Sequence, residues 1–212
     1  MNRGRFITLE GGEGVGKSTQ ARRLGEALEA RGLSVLTTRE PGGSPGAEAI
    51  RELLLHSPAD AWTPRAEALL FAAARSDHVT RTIAPALAAG RWVICDRFVD
   101  STRAYQGGEG GLSDARIMAL HDVGCEGLMP DRTLLLSLEA AASRARIAGR
   151  GSDRYDRFED RRDDFHARVR AGFEGIAAAE PARVRRIDAD GDEQAVTARL
   201  LAALDDLLPC PA

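Results

Sequence analysis

Eight residues near the start of the chain, Gly11-Gly12-Glu13-Gly14-Val15-Gly16-Lys17-Ser18, match the pattern G-x-x-x-x-G-K-S/T without a mismatch. In such a loop the glycines let successive backbone N–H groups point into one concavity. The helix that follows adds its positive N-terminal end. The chemistry is phosphate binding. The loop cradles two phosphates, Lys17 carries a mobile positive charge to the outer ones, and the Ser18 hydroxyl ligates Mg²⁺. The pattern requires a strand before it and a helix after it. Arg5-Phe6-Ile7-Thr8-Leu9-Glu10 has strand character. Thr19 to Arg31 reads as a helix, with Leu24 and Leu28 on one face and Gly32 as its stop. A flexible glycine turn with an exposed lysine would need neither flank.

Other residues able to do chemistry lie further along. The apolar run Trp92-Val93-Ile94-Cys95 closes on Asp96-Arg97. A carboxylate at that position suits Mg²⁺, and the adjacent guanidinium can hold a phosphate with two parallel hydrogen bonds. Ser101, Thr102, Tyr105 and Gln106 follow, a polar set suited to a planar ligand or to a well-capped loop. Arg39, ahead of the turn Pro41-Gly42-Gly43, reads equally as a second phosphate contact or as half of a surface ion pair with Glu40. Phe71 and Arg75, four apart on one helix face, could stack on and hydrogen-bond a nucleobase. By residue type alone, a core phenylalanine and a solvated arginine is the commoner arrangement. Arginine then becomes dense, at Arg144, Arg146, Arg150, Arg154, Arg157, Arg161 and Arg162, with acids interleaved and Gly149 and Gly151 between. That stretch is either a salt-laced surface helix or a lid that closes over a triphosphate.

These residues need a scaffold that brings strand ends together. Strand-like runs at Phe6–Leu9, Leu33–Thr37, Trp92–Cys95, Thr133–Leu138 and Arg183–Ile187 alternate with helix-like runs. The alternation predicts an α/β fold, a parallel sheet with helices on both faces and ligands at the carboxyl ends of the strands. Helices are expected near Ala47–Leu55, from Thr63-Pro64 to a kink or end at Pro85, over Ala140–Ala148, and over Gln194–Leu207. The turn Asp188-Ala189-Asp190-Gly191 suits the wall of an adenine site.

The 212 residues suit one domain, and 43% apolar residues suffice for a sizeable core. A formal charge of −3 argues against a general nucleic-acid or anionic-membrane binder. Cys95, Cys125 and Cys210 are odd in number and widely spaced, which points to reduced thiols in a cytoplasmic setting. No signal peptide or membrane span is expected.

Together Leu9 to Thr19, Thr38-Arg39-Glu40-Pro41-Gly42-Gly43, Phe71 to Arg75, Asp96-Arg97 with Ser101, Thr102, Tyr105 and Gln106, and Asp156-Arg157-Phe158-Glu159 resemble the bacterial thymidylate kinases, collinearly from about residue 5 to 190. The resemblance implies a P-loop NTPase three-layer fold with a five-stranded parallel sheet and a small lid at about 143–157. It implies ATP and dTMP as substrates, dTDP as product, Mg²⁺ as cofactor, and a homodimer.

It also implies site roles. Gly11, Gly12, Glu13, Gly14, Val15, Gly16, Lys17, Ser18 and Thr19 would hold ATP, with Ser18 and Asp96 at the metal. Glu13, Arg39, Phe71, Arg75, Arg97, Ser101, Thr102, Tyr105 and Gln106 would hold dTMP. Phe71 would stack on the thymine and Arg75 would hydrogen-bond it. The loop interior carries no arginine, so the catalytic arginine would come from the lid, with Arg150 favoured and Arg146 beside it, acting with Lys17 and Arg97. The nearby rival is another P-loop nucleotide or deoxynucleoside kinase. A GTP-dependent switch lacks its Asn-Lys-x-Asp segment here, and a nucleic-acid module would rest on the lid arginines alone.

Overall fold

The computed structural model describes residues 3–58, 61–108, 111–139, 142–143 and 163–209. Five strands form one parallel sheet in the order β2-β3-β1-β4-β5. They are β1 (Phe6–Glu10), β2 (Val35–Arg39), β3 (Trp92–Asp96), β4 (Arg132–Ser137) and β5 (Val184–Asp188). β1 and β3 are buried along their whole length, the mark of parallel strands covered on both faces, while β2 and β5 at the edges alternate in exposure. The helices are α1 (Lys17–Glu29), α2 (Pro45–Leu55), α3 (Pro64–His78), α4 (Ala84–Ala88), α5 (Val99–Tyr105), α6 (Asp114–Cys125), α7 (Asp163–Ala179) and α8 (Glu193–Ala202).

Side chains alternate across the sheet as the pleat requires. Ile7 and Leu9 join Ile94, Leu134 and Leu136 beneath α1 and α8, in a cluster that includes Leu24, Leu28 and Leu200. Phe6 turns the other way and packs with Val93, Phe98, Ile83, Leu87 and Ile117, while Val169 and Phe173 of α7 cover Leu135 and Val184. The result is three layers. Thr8 sits buried between the apolar positions of β1, and its hydroxyl bonds that of Thr133 at 2.8 Å, so the polar group enters the core satisfied.

Strand and helix boundaries differ from the sequence expectations in ways that matter for the site. β2 begins two residues later than expected and extends through Arg39, because its pairing with β3 continues until Arg39 lies opposite Asp96. Pro85 does not end the third helix. One wide turn, Val79–Ile83, interrupts the α-helical pattern, and Pro85 then lies in the first turn of α4, where its missing N–H costs little. α6 was not anticipated, although Ile117, His121 and Cys125 recur at helical spacing along its buried face. The helix expected over 140–148 falls mainly outside the described residues.

Candidate active site

The loop between β1 and α1 lies at the carboxyl edge of the central strand. Gly11 has φ of 140°, and a Cβ there would stand 2.4 Å from the Leu136 carbonyl oxygen, so backbone conformation and close approach both demand glycine. Val15 is 5% exposed and belongs to the core; its side chain anchors the loop and leaves only its backbone for a ligand. Lys17 lies folded across the loop with Nζ donating to the Gly12 carbonyl at 2.7 Å. Burial first, then the charge of Arg97, lowers its pKa from the ordinary lysine value.

Two strand ends meet here. β3 pairs with β1, so Asp96 emerges beside the loop, and the Ser18 hydroxyl donates to its Oδ2 at 2.6 Å. Asp96 Oδ1 is buried and has no hydrogen-bond partner among the described residues. A hydroxyl and a carboxylate with an unused oxygen form a hard-oxygen donor pair that suits Mg²⁺ shared with phosphate oxygens. Arg97 has φ of 70°, a conformation that L side chains rarely adopt, and it turns the guanidinium back over the loop. Its Nη1 donates to Ser101 Oγ at 3.0 Å and to the Gly11 carbonyl at 3.3 Å; Nη2 donates to Glu13 Oε1 at 2.5 Å and to the Tyr105 hydroxyl at 3.2 Å. The Tyr105 hydroxyl donates to the same Glu13 oxygen at 2.7 Å. Burial raises the Glu13 pKa, but Arg97 and Lys17 more than offset it and hold the carboxyl at about 2. Glu13 therefore stays ionised and ties the loop to α5.

Glu10 does related work from beneath. α5 carries no side-chain cap of its own, and Glu10 at the end of β1 supplies one. Its Oε1 accepts from the backbone N–H of Phe98 at 2.7 Å and of Ser101 at 3.2 Å, and its Oε2 accepts from Ser101 Oγ at 2.6 Å. Burial, reinforced by the charge of Asp100, raises Glu10 to about 7 against the pull of Ser101, Arg97 and Phe98.

The thymidylate kinase family model matches residues 9–200. Thymidylate kinase of Rhizorhabdus wittichii is 64% identical over 206 residues, covering 97% of this chain and 99% of the relative. That of Bradyrhizobium diazoefficiens is 52% identical over 212 residues, with coverage of 99% and 93%. The chain belongs to the thymidylate kinase family. The solved thymidylate kinase of Ehrlichia chaffeensis superposes with a TM-score of 0.77 at 32% identity, over 96% of this chain and all of that one.

For a thymidylate kinase family member, the expected acceptor-side residues fall into two groups. Ser101, Tyr105 and Arg97 converge with Glu13, as just described. Thr102 of α5 and Gln106, one turn on at its C-cap, are 3% and 2% exposed. Thr102 Oγ1 accepts from Arg75 Nη2 at 2.8 Å, and Gln106 Nε2 donates to the buried Glu67 at 3.3 Å. Arg75 is thus buried rather than solvated, with its guanidinium 5.3 Å over the Phe98 ring. Phe71 is half-buried and belongs to none of the three apolar clusters, unlike the core phenylalanine that residue type alone would favour. Arg39 is 53% exposed and ion-paired with Glu48 at 3.0 Å, not with Glu40. Arg144, Arg146, Arg150, Arg154, the 156–159 segment, nearly all of the 143–157 lid and Cys210 lie outside the described residues. From sequence, Glu10, Glu67 and His78 have no role and Glu40 is placed only as a surface partner of Arg39, whereas it is 6% exposed and pairs with Arg75. The available signals were an acid closing an apolar strand at Glu10 and the three-residue spacing of Arg75 and His78 on one helix face.

Proposed function

We propose that the chain transfers the γ-phosphoryl group of ATP to dTMP, giving dTDP. It is a nucleoside monophosphate kinase by family. The observation that carries the reading is that the phosphate loop, the Asp96–Arg97 turn and α5 are hydrogen-bonded together, with half-buried Phe71 and buried Arg75 on α3, whose Arg75 bonds Thr102 of α5. In this reading the loop backbone from Gly11 to Thr19 holds the ATP phosphates, and Lys17 leaves the Gly12 carbonyl to meet them. Ser18 and Asp96 hold Mg²⁺, which when bound neutralises charge on the phosphate oxygens. Arg97, already aimed by Ser101, Glu13 and Tyr105, takes the dTMP phosphate with Arg39. An ionised phosphate oxygen is the nucleophile, so no general base is required. The protein aligns the two phosphates and supplies positive charge, to which Arg150 and Arg146 of the lid contribute. Phe71 and Arg75 take the base, with Thr102, Tyr105 and Gln106 around the nucleoside.

We assign the chain as one domain with a lid at about 143–157. Pairing of two chains is assigned to α3 and the helices α2 and α6 that pack against it, which together expose Leu53, Leu69 and Val123 at 49%, 55% and 86%. Among the described residues no helix is long and apolar enough to cross a membrane.

A coupled ADP-release assay with ATP and Mg²⁺, run in parallel on dTMP, dUMP, CMP, AMP and thymidine, tests the function. Strong preference for dTMP is expected. Turnover on thymidine instead would leave Arg39 and Arg97 no acceptor phosphate and would move the activity to nucleoside phosphorylation.

A further inference from the structure

Behind Arg75 lies a buried set of polar side chains that the phosphoryl transfer does not use. Glu40, Arg75 and His78 are 6%, 2% and 0% exposed. Glu40 Oε2 accepts from Arg75 Nε at 2.8 Å, and Oε1 lies 3.2 Å from His78 Nδ1. A carboxylate only accepts, so His78 donates its Nδ1–H to Glu40, while its Nε2 lies 2.8 Å from the Thr38 hydroxyl. The ring is also held sterically: a Cβ on Gly43 would stand 2.3 Å from its Nε2, so backbone packs directly against it. On the far side of the fork, Arg75 Nη2 donates to Thr102 Oγ1 at 2.8 Å and to the Phe98 carbonyl at 3.3 Å. The guanidinium is planar, and these contacts fix it at Nε and Nη2. Nη1 takes part in none of them.

We infer that Glu40 and His78 are positioning residues that select the base, by holding the Arg75 fork so that it presents donors, and only donors, to the ligand. The inference rests on the assignment of Arg75 to the base. A guanidinium has five N–H donors and no acceptor. A base that offers a ring carbonyl oxygen to it is accepted, whereas one that offers an amino group at the same place leaves two donors facing each other. The clamp thus favours keto pyrimidines over cytosine. An unclamped arginine would turn away and forfeit that choice. His78 acts one step removed, since its Nδ1–H keeps Glu40 from rotating off Arg75.

The test uses the full chain, with dTMP and dCMP as acceptors at saturating ATP and a thermal melt for each variant. Glu40→Gln is expected to raise the dTMP KM about ten-fold or more. The dTMP over dCMP ratio of kcat/KM should fall by a similar factor, with the ATP KM within about two-fold. His78→Leu should lower the ratio in the same direction. His78→Asn, whose amide N–H stands in for Nδ1–H, should restore much of it. An unchanged dTMP KM and ratio in folded Glu40→Gln overturns the inference. If that variant does not fold, the His78 pair decides, and equal ratios in the Leu and Asn variants overturn it. Arg75→Gln, whose amide can accept as well as donate, separates the two layers. Base selection intact in that variant removes the Arg75 assignment and this inference with it. Selection lost there but kept in Glu40→Gln overturns the inference alone.

Discussion

Two acids, Glu10 and Glu13, flank the first glycines of the loop and are driven in opposite directions. Burial lifts Glu10 to about 7, while Arg97 and Lys17 overcome burial and hold Glu13 at about 2. The consequences for stability follow with opposite sign. Between pH 4.5 and 7 the unfolded chain ionises Glu10 while the folded chain keeps it protonated, so this group costs stability as pH rises through that window, by at most about 3 kcal/mol. Glu13 contributes stability that is present above about pH 4.5 and is lost as pH falls toward 2. Glu10→Gln resembles the protonated acid and keeps an oxygen for the Phe98 and Ser101 amides. Its melting temperature relative to the parent chain is therefore expected to climb from pH 4.5 to 7 and then level off. A constant difference across that range would show that Glu10 is ionised in the fold throughout. The sequence shows Glu10 only as an acid closing an apolar strand beside a glycine run; burial and the approach of the Phe98 turn are what give it a role.

At the scale of elements, α5 is the hub. Its N-terminus is capped by Glu10 of β1, and its second residue, Asp100, is 1% exposed. Asp100 accepts from Arg183 Nη1 at 2.7 Å and Nη2 at 3.0 Å, and from Arg103 Nη1 at 3.0 Å. Arg103 reaches on to Glu180 at 2.6 Å and Asp114 at 2.7 Å, so one buried carboxylate joins α5 to α6 and to the connection between α7 and β5. Burial opposes its ionisation, yet the two arginines keep its pKa below the usual carboxylate value. Asp100→Asn leaves both guanidiniums underpaired and is expected to cost about 3–5 kcal/mol in urea unfolding. A loss under about 1 kcal/mol would mean the network relaxes onto Glu180 and Asp114 instead. The strands, the loop and the Thr63-Pro64 helix start could be read from periodicity and cap residues, because those signals are local. The wide turn before Pro85, the register that sets Arg39 opposite Asp96, and the pairing of Arg39 with Glu48 could not, because each is decided by a neighbour distant in sequence.

For the whole molecule, the assigned pairing face makes a direct prediction. Leu69→Asp, on the exposed side of α3, should shift the sedimenting species from two chains toward one while the melt stays cooperative. An unchanged dimer would move the interface off α2, α3 and α6, and a parent chain that sediments as one chain would remove the dimer. The order of strands in the sheet carries a different consequence, for how the chain is made. β1 is the earliest strand in sequence and the middle strand in space, and both of its partners, β3 and β4, are translated far later. At roughly 5–20 residues per second, the ribosome leaves Phe6-Ile7-Thr8-Leu9 without a mate for several seconds, until Trp92–Asp96 emerges. The segment that ends up most sheltered is therefore the one that waits longest in the open, and shielding of the nascent chain matters most at its first apolar run.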